Sequence, residues 1–392
     1  MEQLLLAGQA VDAEAECRRA VATDPDVFDG HVVLGDLLRW LGRPAEAMAV
    51  YHNVLLRGQD LVDARAGLAA ALRDLGQPDA ARRTVSRALM ISPVHADALC
   101  ADAALRLDAE DFEGAAAGFL QVLDTAPQAV ALHAYVGVAL YSLHARGATA
   151  RASALATRWL DRFPDDPTVR HLAGSLIGRP LEPRAPDGYV KQTFDAFAPT
   201  FDQALHDLDY RAPQLLAQAV AESGMPAAGV HAALDAGCGT GLCAAWLRPM
   251  ARHLTGVDLS SAMLARARAR HAYDTLVEAE LTAFLSASPA QFDLIVAADV
   301  LCYFGDLHEV LARAATALVA GGTVAFTLET LAGEADGYRA GAHGRFAHRE
   351  AHVRDAVDRA GLQPRVFARE RLRLESGQPV EGFVVVAVNG DR

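Results

Sequence analysis

The chain has 392 residues, of which 52% are hydrophobic, and a formal net charge of −13. Its length predicts two domains, its acidity excludes general nucleic-acid binding, which needs clustered Lys and Arg, and it has no apolar run long enough to span a bilayer. Five scattered cysteines, an odd number, favour reduced thiols over a disulfide framework, so we expect a cytoplasmic protein without a membrane partner.

The first half of the chain repeats itself every 34 residues. Small, bulky and proline positions share this period: Ala47, Ala81 and Ala115, then Tyr51, Val85 and Phe119, and finally Pro93 and Pro127. This pattern resembles the tetratricopeptide repeat (TPR), a helix–turn–helix unit, and predicts a helical repeat domain over residues 1–178. About four units are visible, the first reduced to its second helix near residues 10–23, and residues 168–177 are expected to form a capping helix.

A proline-rich segment, residues 179–188, separates the repeats from the second predicted domain, residues 189–392. Its three prolines predict a stiff linker. The next segment carries Tyr189 and places Phe194 and Phe197 on one helical face. We expect these three aromatic residues either to contact a substrate or to pack that face onto the sheet.

A glycine-rich turn, Gly237, Gly239 and Gly241, follows a predicted buried strand and precedes a predicted helix. Glycine lets the backbone turn sharply and approach a ligand, and the helix presents free N–H groups to the turn. A strand–turn–helix unit of this kind binds nucleotides. Leu242 stands where a dinucleotide fingerprint needs glycine, which disfavours a nicotinamide enzyme.

The next predicted strand ends at Asp258, 17 residues after Gly241. A carboxylate at this position is suited to accept both hydroxyls of a ribose. The alternative is an acid that stabilises the N-terminus of the following helix.

Apolar strands alternate with amphipathic helices after residue 230, which predicts a doubly wound, mostly parallel sheet. The predicted strands are Val230–Asp235, Leu254–Asp258, Leu276–Ala279, Phe292–Ala297, Gly322–Leu328, Arg365–Leu374 and Gly382–Val388. The fold class is therefore an α-helical solenoid followed by an α/β Rossmann-like domain.

The glycine turn resembles motif I of class I S-adenosylmethionine-dependent methyltransferases, and residues 292–307 resemble their motif IV. Together with Phe194–Asp202 and Gly344–His348, these segments make the chain resemble bacterial TPR-containing methyltransferases, whose C-terminal domain resembles the Williams–Beuren-type methyltransferases. The resemblance implies a seven-stranded sheet with an antiparallel last strand and S-adenosylmethionine as the cofactor.

The resemblance also implies the ligand-binding residues. Asp235 would hold the amino group of the methionine moiety, and Glu280 would accept the adenine amine unless it is a solvated acid at a strand end. The full implied cofactor set is Asp235, Gly237, Cys238, Gly239, Gly241, Asp258, Leu259, Glu280, Leu281 and Asp299. Asp299, Tyr303 and His348 are the candidate catalytic residues, needed only if the acceptor must lose a proton.

The Gly-rich segment 333–348 is predicted to be a substrate-binding loop. Tyr338 and Arg345 are its candidate substrate contacts, and His348 is either a proton acceptor or a helix-capping residue. His343, His348 and His352 lack supporting ligands at metal-binding spacing, so no metal site is expected.

The sequence therefore predicts a methyltransferase whose repeats dock a peptide or protein, either the substrate or a partner. Two alternatives stay open. One is a small-molecule O- or N-methyltransferase whose repeats mediate oligomerisation, and the other is a non-catalytic TPR adaptor. The acceptor and its reacting atom are not identified by the sequence.

Overall fold

The computed structural model describes residues 10–57, 61–225, 229, 231–333, 337–375 and 377–390. It divides into two compact units, residues 1–159 and residues 160–392. Val230, the predicted start of the first strand, and residues 334–336 of the predicted substrate loop lie outside the described residues. No helix among the described residues combines the length and apolar character that crossing a bilayer requires.

Consecutive helices make up the first unit. They are α1 (Ala10–Thr23), α2 (Phe28–Trp40), α3 (Pro44–Leu56), α4 (Val62–Asp74), α5 (Pro78–Ile91), α6 (Ala96–Asp108), α7 (Phe112–Thr125), α8 (Leu132–Ala145) and α9 (Thr149–Arg162), the last of which extends past the division. Helices α2 to α9 pair into helical hairpins at the predicted period, and α1 has the predicted bounds of the truncated first repeat.

The packing of Tyr51 shows why the repeat combines bulky and small residues. A Cβ atom on Gly35 or on Gly67 would lie 2.5 Å from the Tyr51 ring. The fully buried ring is therefore held between two helices that each present a glycine. Its hydroxyl donates to Asp36 at 2.6 Å, which satisfies the polar end of the side chain.

The second unit begins with helices and continues as a sheet with helices on its faces. Its helices are α10 (Pro167–Ile177), α11 (Asp187–Phe197), α12 (Phe201–Asp207), α13 (Ala212–Glu222), α14 (Ala244–Met250), α15 (Ser261–Ala269), α16 (Leu281–Ser286), α17 (His308–Ala317) and α18 (Glu350–Arg359). Its strands are β1 (His231–Ala236), β2 (Ala251–Asp258), β3 (Thr275–Glu278), β4 (Phe292–Ala297), β5 (Leu318–Thr330), β6 (Tyr338–Ala340), β7 (Phe346–His348), β8 (Leu362–Glu375) and β9 (Gln378–Asn389).

The strand order is β3-β2-β1-β4-β5, with β9 antiparallel to β5 and β8 antiparallel to β9. This is the predicted class I methyltransferase topology, and the predicted fold class is confirmed. The order reverses between β1 and β4, so the carboxyl ends of these strands form the crevice in which ligands of doubly wound sheets bind. Buried apolar clusters cover both faces of the sheet.

The predicted substrate loop contains two short strands that the sequence analysis missed. Strands β6 and β7 form an antiparallel hairpin, and β7 runs parallel to β5. Glu329 of β5 pairs with Ala347 of β7 and with Gly382 of β9. Because the two partners must lie on opposite sides of β5, β7 extends the sheet on the β4 side, beyond the end of β4.

The proline-rich segment is attached to the second unit rather than free of it. The carbonyl of Pro183 accepts the N–H of Gly305 at 2.7 Å, and the N–H of Ala185 donates to the carbonyl of Tyr303 at 2.8 Å. The preceding helix α10, which belongs to the same unit, contacts the segment before β7, since Nε2 of His171 donates to the carbonyl of Gly344 at 2.7 Å. The domain bounds drawn from the sequence stay a prediction, whereas the compact units meet at residues 159 and 160.

Candidate active site at the carboxyl edge of the sheet

The turn between β1 and α14 depends on glycine. Gly237, Gly239 and Gly241 have φ angles of 67°, 53° and 90°, in the left-handed region that other residues rarely adopt. A Cβ atom on Gly237 would lie 2.4 Å from Cγ2 of Val300, and one on Gly241 would lie 3.0 Å from the ring of Tyr273. The backbone therefore approaches its neighbours more closely than any side chain would allow.

Asp258 ends β2 and binds the glycine turn directly. Its Oδ2 atom accepts the N–H of Gly239 at 2.8 Å, and its Oδ1 atom accepts the N–H of Ser260 at 2.8 Å. Burial raises the pKa of this carboxyl, although hydrogen bonds from the backbone N–H groups of Ser260, Gly239 and Leu259 oppose the rise. The edge of the sheet therefore carries a carboxylate whose position is fixed by backbone N–H groups.

Two further predicted cofactor residues contribute backbone atoms. The buried Cys238 donates its N–H to the carbonyl of Val257 at 2.9 Å. The carbonyl of Leu259 accepts Nζ of Lys191 at 3.1 Å, and the same ammonium pairs with Glu278 at the end of β3. Sequence analysis missed Lys191 and Glu278 because neither belongs to a recognisable spacing.

Asp235 is 2% exposed, and its Oδ2 atom accepts the hydroxyl of Tyr273 at 2.6 Å. The sequence predicts a cationic partner or backbone donors for this buried acid, and the structure supplies a phenol instead. Burial raises the pKa of Asp235 to about 7. Its contact with the amino group of a ligand stays a prediction.

Glu280 is the N-cap of α16, which leaves no room for its predicted adenine contact. Its Oε1 atom accepts the N–H of Thr282 at 2.9 Å and pairs with Arg184. Its Oε2 atom accepts the N–H of Ala283 at 2.8 Å and the hydroxyl of Thr282. These four contacts use all the lone pairs of the carboxylate, so we reassign Glu280 as a helix cap. The neighbouring Leu281 packs in the apolar core.

Helices α11 and α12 are anchored to the turn and to the start of α15. Asp195 accepts the hydroxyl of Ser260 at 2.5 Å. Asp202 accepts the hydroxyl of Thr240 at 2.5 Å and pairs with Arg270 at 2.6 Å. The sequence analysis singled out the phenylalanines of this segment, whereas its aspartates make the polar contacts that position it.

Aromatic rings line the same helices. Phe194 makes edge-to-face contacts with Tyr303 at 5.7 Å and with Phe201 at 6.1 Å, and Phe197 contacts Phe201 at 5.4 Å. Phe201 also lies within 4 Å of where a Cβ atom on Gly239 would stand. The cluster therefore covers the glycine turn with apolar surface.

A buried network of charges lies beyond the end of β4. Asp299, with a left-handed φ of 54°, accepts the hydroxyl of Thr327 at 2.8 Å and Nη1 of Arg373 at 2.7 Å. The side chain of Arg373 is 5% exposed and also pairs with Glu329 and, at 2.8 Å, with Glu375. Sequence analysis missed Arg373 because it is one of several arginines along β8 and nothing in the pattern marks it as buried.

Arg345, predicted to contact a substrate, instead makes ion pairs within this network. Its Nε atom donates to Glu329 at 2.8 Å, and its Nη2 atom pairs with Glu375. Burial would raise the pKa of Glu329, but Arg345 and Arg373 lower it to about 2. Burial lowers the pKa of the adjacent His343 to about 4, so this imidazole is neutral. Three carboxylates therefore face two guanidinium groups, and the network is net acidic.

The predicted catalytic histidine does not face the crevice. The side chain of His348 is fully buried, and its Nε2 atom donates to the carbonyls of Phe304 and Gly305 at 2.8 and 3.1 Å. Burial lowers its pKa to about 4. We therefore reassign His348 as a residue that positions the loop after β4. Tyr338 packs on the same loop, since a Cβ atom on Gly305 would lie 2.4 Å from its ring.

Tyr303 contacts the aromatic cluster, whereas Tyr189 packs against helix α10. Tyr303 belongs to the short 3-10 helix Leu301–Tyr303 and contacts the aromatic cluster through Phe194. Tyr189 is 7% exposed, and its ring packs against His171 at 5.4 Å. The location of Tyr189 therefore matches the packing alternative.

Comparisons with known proteins agree with this architecture. Residues 234–326 match a family described as a methyltransferase domain, and residues 41–103 match the tetratricopeptide repeat family. Malonyl-[acyl-carrier protein] O-methyltransferase of Enterobacter lignolyticus is 37% identical over 103 residues, which cover 26% of this chain and 41% of the relative. Methyltransferase-like protein 27 of Homo sapiens is 43% identical over 88 residues, covering 21% of this chain and 34% of the relative.

Among solved structures, an S-adenosylmethionine dependent methyltransferase from Mesorhizobium loti matches at 24% identity with a TM-score of 0.36, covering 44% of this chain and 97% of that one. The chain spans less than half the length of the two curated relatives. The matched segments place a tetratricopeptide repeat region before a methyltransferase domain in this chain.

Proposed function

We propose that the protein transfers the methyl group of S-adenosylmethionine to an acceptor that a protein bound to the repeats carries or supplies. The observation that carries the enzymatic part is the carboxylate of Asp258, fixed against the glycine turn by the N–H of Gly239. Parallel-sheet nucleotide sites hold a ribose with an acid in this position.

The described residues fit the cofactor. The carboxylate of Asp258 ends a parallel strand, where an acid accepts ribose hydroxyls, and the glycine turn admits a ligand close to its backbone. Glu278 ends β3, and the ammonium of Lys191, on α11, reaches it and the carbonyl of Leu259, beside the place where an adenosine would extend from the ribose. The turn, the acid and the strand ends therefore form one continuous binding surface.

The cofactor supplies a methyl group already activated on a sulfonium, so the protein's task is to align the acceptor and exclude water. The aromatic cluster of Phe194, Phe197 and Phe201 covers the turn and excludes water. We assign Tyr303 and Asp299, which follow the carboxyl end of β4, to the acceptor side, and burial raises the pKa of both side chains. Asp299 is held by Thr327 and Arg373, which gives it a fixed orientation toward an acceptor group.

Acidic residues on successive repeats support a docking role. Asp36, Asp63 and Asp97 lie on α2, at the start of α4 and at the start of α6. They are close enough that Asp63 and Asp97 help to raise the pKa of Asp36, an effect to which burial contributes most. We infer a partner that presents Lys or Arg side chains. The name of one relative describes an acceptor carried on a carrier protein, which supports an acceptor borne by a protein.

Replacing Asp258 with alanine is expected to weaken S-adenosylmethionine binding by about 1.5–3 kcal/mol, or about 10–150-fold, because two hydrogen bonds to a charged acceptor are lost. Isothermal titration calorimetry of the full chain measures this change. Asp293→Ala is the matched control, because this carboxylate also accepts a backbone N–H, that of Ala232 at 2.7 Å, but lies where β4 begins. An Asp258 variant with unchanged affinity would remove this residue from the cofactor site.

Substituting Asp63 and Asp97 by asparagine is expected to lower methyl transfer into protein acceptors by about 3–10-fold, since each exposed charge contributes up to ~1 kcal/mol. The measurement is incorporation of labelled methyl from S-adenosylmethionine into a cell extract, with cofactor affinity measured in parallel. Asp79→Asn, on the second helix of a repeat, is the control. If the double variant labels the same proteins at the same rate, the docking surface lies elsewhere.

A further inference from the structure

Four side chains with metal-binding atoms meet where α17 begins and α18 passes. One carboxylate oxygen of Asp306 and one ring nitrogen each of His308 and His352 lie within 4.8 Å of one another. The two imidazole rings are 5.3 Å apart and nearly perpendicular. Asp355 lies on the far side of His308, one helical turn from His352 on α18.

His308 sits between two carboxylates, which its neutral form cannot satisfy. Its Nδ1 atom is 2.5 Å from Oδ1 of Asp306, and its Nε2 atom is 2.9 Å from Oδ2 of Asp355. A neutral imidazole has one N–H, so only one of these contacts is then a hydrogen bond. Either the ring carries a second proton or a cation takes the place of that proton.

His352 adds a second, independent observation. Its Nε2 atom is buried and has no hydrogen-bond partner among the described residues. Native structures rarely leave such an atom unsatisfied, and coordination of an ion is one way to satisfy it.

We propose that Asp306, His308 and His352 bind a divalent transition-metal ion of the zinc class. Two imidazoles and a carboxylate suit Zn²⁺, whereas Mg²⁺ and Ca²⁺ prefer oxygen ligands alone. Two zinc–ligand bonds span up to about 4 Å, so a small closure of side chains within 4.8 Å brings them onto one ion. Asp355 would accept the other N–H of His308, an arrangement that fixes metal-binding histidines.

The ion would join the loop before α17 to helix α18. This loop contains Gly305, whose carbonyl accepts Nε2 of His348, and it follows Tyr303 directly. Fixing Asp306 therefore steadies the loop that bears the candidate acceptor-side tyrosine. The metal affinity of this site can be measured without an assay of methyl transfer. The metal proposal is therefore tested separately from the proposed function.

A second cluster, in the repeats, provides the matched control. Asp63, His95 and Asp97 also have metal-binding atoms within 4.8 Å. However, Nδ1 of His95 accepts the N–H of Ala98 at 3.4 Å as a helix cap, and Nε2 donates to Asp63 at 3.0 Å. Both nitrogens have protein partners in a single neutral tautomer, so this cluster needs no ion.

The test is calorimetric titration of the full-length, chelator-treated protein with Zn²⁺ in the presence of a competing chelator. We expect one competitive Zn²⁺ site per chain. H308Q and H352Q should each weaken the affinity by more than about 100-fold, and D355N by about 10–100-fold, the usual effect of losing a partner of a metal-binding histidine. H95Q should leave both affinity and stoichiometry unchanged.

Circular dichroism and the affinity for S-adenosylmethionine establish that each variant is folded. If H308Q or H352Q does not fold, the proposal is tested by the Zn²⁺ affinity of D355N and by the visible absorption spectrum of Co²⁺ bound to the unmutated protein. No competitive site, a site that survives in both histidine variants, a site lost in H95Q, or Co²⁺ spectra without nitrogen ligation would each overturn the proposal.

Discussion

Replacing Arg373 with methionine is expected to destabilise the second unit by about 3–5 kcal/mol, the usual cost of removing one partner from a buried ion pair. The guanidinium of Arg373 is the shared partner of Asp299, Glu329 and Glu375. Without this guanidinium, Arg345 is the remaining arginine that balances the charge of the three buried carboxylates. Methionine has a similar length, so lost volume contributes little to the change.

Urea denaturation followed by circular dichroism measures this difference, and Arg371→Met is the control. Arg371 lies two residues away on β8 and pairs with Asp209 at 2.6 Å, but both side chains are about a third exposed or more. Its substitution should therefore cost at most about 1 kcal/mol. Equal destabilisation by the two variants would show that the buried network adds no stability.

The same network predicts a pH dependence with a definite sign. The pKa of Glu329 is about 2 in the folded protein and about 4.3 when unfolded. A lowered pKa contributes stability above pH 4.3 that is lost as the pH falls toward 2. The advantage of the unmutated protein over the Arg373 variant should therefore be largest near neutral pH and should shrink in acid.

Replacing Gly237 with alanine is expected to cost about 2–5 kcal/mol of stability and to abolish measurable cofactor binding. A left-handed backbone costs about 1–2 kcal/mol for a residue with a Cβ atom. The new methyl group would also stand 2.4 Å from Val300, and relieving such an overlap costs about 1–3 kcal/mol. The displaced turn would no longer present its N–H groups beside Asp258.

Two further variants separate these causes. Gly361 has a φ of 75° and nothing within 4 Å of an added Cβ atom, so Gly361→Ala should show the backbone cost alone. Adding Val300→Ala to Gly237→Ala removes the overlapping methyl groups and should restore part of the stability. Thermal unfolding and calorimetry give both quantities. A Gly237 variant no less stable than the Gly361 variant would mean that the overlap relaxes without cost.

The features predicted from sequence were those that a local pattern determines. The 34-residue period repeats small and bulky positions, which predicts paired helices, and Tyr51, one of the bulky positions, is buried against Gly35 and Gly67. The strand ending at Asp258 is equally local, since an apolar run and a terminal acid are adjacent in the chain. Such features need no knowledge of the tertiary fold.

The acceptor side was harder to predict because distant segments build it. Glu329 and Arg373 are 44 residues apart and meet only after β5 and β8 have joined the same sheet through β9. Glu280 and His348 were given ligand roles on their positions near strand ends. In the structure, Glu280 accepts a hydrogen bond from Thr282, and His348 donates one to the carbonyl of Phe304. The residue type alone does not distinguish a helix cap or a residue that positions a loop from a catalytic residue.

The hydrogen bonds of Pro183 and Ala185 to the loop around Tyr303 bear on how this chain can be divided. A proline-rich segment between two domains is often chosen as a truncation or fusion site, because it is assumed to be a linker without contacts of its own. In this protein, truncation there would remove the backbone hydrogen bonds that Pro183 and Ala185 make with the loop before α17. The N–H of Gly305 and the carbonyl of Tyr303 in that loop would lose their partners. A fragment meant to retain the second unit should begin before Leu160, and exchange of repeats between such proteins should preserve the segment with its own catalytic domain.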